Sequence, residues 1–256
     1  LIGIYSLQDE PMKAHEARDL GERISSLLQA EQTTQAHALL APVLAQRTPF
    51  AMLRRIGAEA GRDRPLCMDD FLLRIAADKA EGGWVVISGV LSAQLDHDLS
   101  TSLNRCRDFI VAADIWYAAD TFGEWVVGRA LEIRFQPALE LLSPWREDPN
   151  PWVRRATGTA IHYWAKRSRG AKGLAPQAET LLMFLEPLFE EHDIKAVKGV
   201  GWGLKTLGKR YPEPLTQWLT QQVVRLQRPH RALMLHKALT HLSDEQRARA
   251  SGSETR

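Results

Sequence analysis

The sequence predicts an all-helical fold, an α-solenoid in which helix pairs stack side by side. Three observations predict it. Apolar residues recur at three- and four-residue steps almost throughout, strand-type alternation is missing, and similar residues return after 33 to 43 positions, close to the period of two-helix repeats.

Taken in order, residues 1–12 stand outside the pattern, and translation is expected to begin at or near Met12. The periodicity starts with Leu20, Ile24, Leu27 and Leu28, one apolar stripe of a helix. The β-branched run Val85 to Ile87 continues into Val90, Leu91 and Leu95 at helical spacing and is read as helix. Ile115 to Phe122 carries Trp116 and Asp120 four residues apart, hence on one helix face. Asp148-Pro149-Asn150-Pro151 is a start signal: Asn150 accepts from an unsatisfied N–H and Pro151 takes the first helical position. That helix is expected from Trp152 to about Arg167. Leu181, Phe184, Leu185 and Leu188 mark the next, and another runs from near Asp193 to near Arg210, where Tyr211-Pro212 stops it. The polar stretch from Ser243 to Arg256 reads as a frayed tail. The expected organisation is a leader over 1–12, a single domain over 13–242 and a flexible tail over 243–256.

Arg155 and Lys198 hold similar places after their caps, 43 residues apart; Asp120 precedes Arg155 by 35, and Arg231 follows Lys198 by 33. Equivalent positions on stacked repeats line one face. Asp120, Arg155, Lys198 and Arg231 are therefore expected as neighbours along one groove.

Composition sets the partner class. Hydrophobic residues make 45% and charged residues 25% of the 256, an ordinary globular balance. Charge is uneven: residues 1–100 hold ten Lys/Arg against fourteen Asp/Glu, whereas residues 150–210 hold eleven against five. A polyanion partner is expected on that basic stretch. Cys67 and Cys106 lack metal-ligand spacing, and His162 and His192 stand alone, so neither metal nor cofactor is expected. No apolar run reaches the roughly 18 residues needed to span a bilayer, and no membrane partner is expected. The reading is a cytoplasmic, nucleoid-associated monomer.

Gly199, Gly201 and Gly203 sit inside a helical pattern, each costing roughly 0.8 to 1 kcal/mol against alanine. Small residues there permit close approach of a packed helix or a ligand backbone, while Lys198, Trp202 and Lys205 share an exposed face. A dinucleotide-binding loop would need a preceding strand and different spacing.

Trp116-x-x-x-Asp120, Trp152-x-x-Arg155 within Asn150 to Arg155, and Lys198-x-x-Gly201-Trp202-x-Leu204-Lys205 together resemble the DNA alkylation repair enzymes of the AlkD type. The likeness runs from about Arg47 to Leu242. It implies HEAT-like helix pairs, a curved solenoid with a concave basic groove holding duplex DNA, and excision of N3- or N7-alkylated purines with the damaged base left stacked. By the same resemblance Asp120 is the catalytic carboxylate, Arg155 holds the backbone around the lesion, and Trp116 and Trp202 pack on its deoxyribose. Arg231 and Lys237 on the last basic helix, with Arg154, Lys166, Lys198 and Lys205, are the expected DNA contacts. Two departures stand out: Lys205 replaces the usual arginine, and the family's N-terminal aromatic has no equivalent.

The residue types suit that chemistry. A cationic purine leaves without protonation, so one carboxylate suffices to stabilise an oxocarbenium-like sugar and position water. Indole faces favour developing positive charge by about 0.5 to 2 kcal/mol each. Two other readings stay open: a catalytically silent binder of damaged or branched DNA through the same groove, and a helical scaffold for protein partners. A carboxylate beside Arg155 favours the enzyme, because a binder needs only the arginine.

Overall fold

The computed structural model describes residues 12–222 and 231–251. The expected leader lies almost wholly outside the described residues. No described residue is in a strand, and no described helix is long and apolar enough to cross a membrane. The chain divides between Ala93 and Gln94 into two compact units, where the sequence predicts a single domain.

The first unit holds α1 (Ala14–Gln29), α2 (Thr33–Ala45), α3 (Phe50–Gly61), α4 (Met68–Ala77) and most of α5 (Glu81–Gln94). Its core gathers Ile24, Leu28, Ile56, Phe71 and Ile87, all fully buried. In α5 the β-branched run is helical as expected. It is buried from Trp84 to Leu91, and a helix enclosed on all sides has no polar face for a periodic pattern to display.

The second unit runs α6 (Leu99–Ala113), α7 (Trp116–Phe122), a π-helical segment (Gly123–Gly128), α8 (Arg129–Ile133), α9 (Phe135–Leu142), α10 (Pro151–Ser168), α11 (Ala175–Leu185), α12 (Ile194–Arg210), α13 (Pro212–Gln222), α14 (Arg231–Leu239) and α15 (Asp244–Ser251). It is an α-solenoid of two rows. In one row α7 and its π segment pack on α10, α10 on α12, and α12 on α14; in the other α11 packs on α13 and α13 on α15. The caps fall where the sequence places them: Asn150 accepts from the Trp152 N–H at 2.8 Å, and Asp193 from the Lys195 N–H at 2.8 Å.

The centre of the unit is α10, buried at every residue from Arg155 to Ala165. Glycine lets α12 approach it backbone to backbone. A Cβ on Gly158 would overlap the main chain of Gly199 and Val200, and one on Gly203 would stand 2.6 Å from the Gly158 carbonyl oxygen. Gly199 and Gly203 thus accommodate a packed helix, whereas Gly201 faces the side chain of Lys237 on α14.

The frayed tail predicted for Ser243 onward is instead helical over α15. Ala250 is buried there, and Arg249 pairs with Glu213 of α13 at 2.7 and 3.0 Å. Its alanines, arginines and glutamine are strong helix formers, and packing on α13 fixes them.

Candidate active site

Asp120 lies on α7, one turn after Trp116. Its carboxylate receives a two-point clamp from Arg155 on α10: Nε donates to Oδ1 at 2.8 Å and Nη2 to Oδ2 at 2.7 Å. Thr159, one turn along from Arg155, donates its hydroxyl to Oδ1 at 2.9 Å. The remaining guanidinium nitrogen, Nη1, donates to the Lys195 carbonyl at the start of α12, at 3.2 Å. Three successive helices of one row are thereby tied through a single ion pair. The Asp120 and Arg155 side chains are only 16% and 10% exposed, so the pairing is strengthened by partial exclusion of water.

The family resemblance places Arg155 on the DNA backbone. In the structure its donors are directed at Asp120 and the Lys195 carbonyl, because a guanidinium this buried requires a counter-charge. Three donors occupy three of the roughly four acceptor positions of a carboxylate, leaving one on Oδ2.

Beside the pair lies a cavity of about 320 Å³ lined by Trp116, Trp152, Arg155, Ile194, Lys195 and Lys198. Trp116 is the exposed wall, at 57%. Trp152 is the buried one. Its indole N–H donates to Asp114 Oδ1 at 2.7 Å, and Asp114 is held in the left-handed region (φ 46°) where α6 ends. Lys195 Nζ stands 4.8 Å over the Trp152 ring and the Arg155 guanidinium carbon 5.9 Å from it, both within cation–π range.

Trp202 does not line this cavity. It stacks on His162 of α10, with ring centroids 3.8 Å apart and planes 24° from parallel. Burial, and next the charge of Lys166, push the His162 imidazole down to about 4, against the opposing pull of Asp120. The imidazole is therefore neutral near pH 7.

The expected DNA contacts separate into three groups. Lys166 and Lys198 are exposed, and Lys205 and Lys237 half-exposed. Arg154 is placed elsewhere: its Nε and Nη2 grip Glu191 at 2.6 and 3.1 Å, and its Nη1 reaches the Asp148 carbonyl at 2.5 Å. It therefore secures the segment leading into α12 and offers no charge to a phosphate. The Arg231 side chain lies outside the described residues.

Three participants had no functional signal of their own in the sequence. Lys195 walls the cavity, and Thr159 and His162 follow Arg155 by four and seven residues. That spacing puts them on the Arg155 face of α10, a signal usable only once Arg155 is singled out.

The profile of the DNA alkylation repair enzyme family matches residues 78–242, well over half of the chain and all of the residues around Asp120. Comparison with curated proteins and with solved structures gave no match. The chain, with its Asp120–Arg155 pair inside the matched region, belongs to the DNA alkylation repair enzyme family.

Proposed function

We propose that the protein is a DNA glycosylase that hydrolyses the N-glycosidic bond of cationic N3- or N7-alkylated purines in duplex DNA, acting without base flipping. The observation that carries the reading is the Asp120 carboxylate, oriented by Arg155 and Thr159, on the helix that presents the exposed Trp116 indole, within a family of DNA alkylation repair enzymes.

In this reading the lesion's C1′–N bond breaks and its electron pair neutralises the purine, which leaves as a neutral base. Positive charge passes to the sugar, where the carboxylate and indole faces stabilise it. Water then bonds C1′ and yields its proton toward Asp120 or solvent. No general acid is required. Lys166, Lys198, Lys205 and Lys237 supply cations for phosphates, and HEAT-like stacking of the helix row provides the concave, duplex-bearing face.

The bidentate Arg155 pair also favours a second reading, because it neutralises much of the charge on Asp120: a silent binder of damaged or branched DNA. Methylated duplex DNA separates the two. The glycosylase releases 7-methylguanine, and Asp120→Asn slows that release by at least about 100-fold, the scale of losing one preorganised electrostatic group, while DNA affinity stays within about threefold. A wild-type protein that binds with steep salt dependence yet releases no base is the silent binder.

A further inference from the structure

His162 is a buried titratable group that this mechanism does not use. It shares a helix face with Arg155 and Thr159, and its ring covers the Trp202 indole at 3.8 Å. Its Nδ1 lies 2.7 Å from Thr206 Oγ1, and the Thr206 hydroxyl donates to the Trp202 carbonyl at 3.1 Å. The imidazole and the Thr206 hydroxyl are hydrogen-bonded to each other whichever of the two donates. Side chain and backbone of residue 202 are thus both tied to one imidazole–hydroxyl pair.

We propose that His162 is a positioning residue: clamped by Thr206, it fixes the plane of the Trp202 indole for packing against the lesion's sugar. The claim rests on the glycosylase reading for its catalytic consequence, but the stacking itself does not. An indole with two side-chain torsions sweeps a wide arc, and the imidazole stacked behind it restricts that arc. A neutral ring is the required form. Lys166 from its own helix disfavours a charge on His162 and Asp120 from α7 favours one, and a second cation beside Lys166 would oppose the positive charge that develops on the sugar.

Three measurements test this. Single-turnover release of 7-methylguanine falls by about tenfold in His162→Ala, the scale of a modest misplacement, with DNA affinity within about threefold. His162→Phe, which keeps a stacking ring, recovers most of the loss. The fluorescence difference between wild type and Trp202→Phe is quenched on acidification with a midpoint near 4, and His162→Phe lacks that step. Thr206→Val, should His162→Ala not fold, shifts the midpoint and slows release. A wild-type release rate in His162→Ala, or a difference signal indifferent to pH, overturns the proposal. Absence of any base release from the wild type overturns the glycosylase reading, and the fluorescence step alone then supports or overturns the positioning of Trp202.

Discussion

Gly199 and Gly201 lie two residues apart on α12, yet the same substitution is expected to act with opposite sign at the two positions. A Cβ at 199 would overlap the Arg155 carbonyl oxygen and stand 2.7 Å from Arg155 Cγ. The first of these is helix backbone and cannot swing aside, so α10 and α12 must part by about 1 Å to restore ordinary contact. A gap of that size forfeits about a quarter to a half of the dispersion energy of the atoms facing it, and overpacking of this kind costs about 2 to 3 kcal/mol. Alanine returns about 1 kcal/mol of helix propensity. The balance is a loss of about 1 to 2 kcal/mol, or about 2 to 8 °C in Tm. Because the displaced residue is Arg155, base release should also fall by about tenfold or more. At 201 the added methyl meets the Lys237 side chain, which can rotate away, so the propensity gain of up to about 1 kcal/mol remains. Thermal unfolding by circular dichroism, paired with single-turnover excision, checks both variants. Gly199→Ala as stable as Gly201→Ala, or equal losses in the two, would refute the close-packing argument.

The folded His162 imidazole titrates near 4 against an ordinary 6.5, so the unfolded chain takes up that proton first as pH falls. Its contribution is complete above 6.5 and is lost between 6.5 and 4, about 3 kcal/mol in all; urea unfolding across that range should show a steeper slope for wild type than for His162→Phe. Burial would raise the Glu191 carboxyl, but the Arg154 guanidinium and the N–H groups of Asp193 and His192 outweigh it and hold the group below 4.5. That stabilisation is present above 4.5 and fades as pH drops further, and Arg154→Ala should cost about 3 kcal/mol at neutral pH by stranding a carboxylate only 6% exposed. An unchanged urea midpoint for Arg154→Ala would contradict it. Lys198→Ala, which removes an exposed ammonium at the cavity edge, should weaken DNA binding for all sequences and lower the logarithmic salt slope by about 1, as measured by fluorescence anisotropy across a salt series.

The sequence by itself determined the helices and much of their bounds. Asn150 with Pro151 opens α10, Asp193 opens α12, and Tyr211-Pro212 closes it, because caps and prolines act on backbone groups within a single turn. The same locality gave the Trp116–Asp120 face and the basic excess of α10 and α12. It did not give the π segment after α7 or the docking of α15, which depend on neighbours far along the chain. Nor could it separate Arg154 from Arg155. They are adjacent in sequence, but the helix turns by about 100° between them, sending one to Glu191 and the other to Asp120. Their partners lie 37 and 35 residues away, and the contact of α12 with α10 is set by glycines whose missing side chains matter only once the two helices meet. His162 is the clearest case: a lone histidine in the sequence, it acquires a stacking partner, a hydroxyl clamp and a suppressed charge solely from packing, since desolvation and ring contact are properties of the assembled helix row.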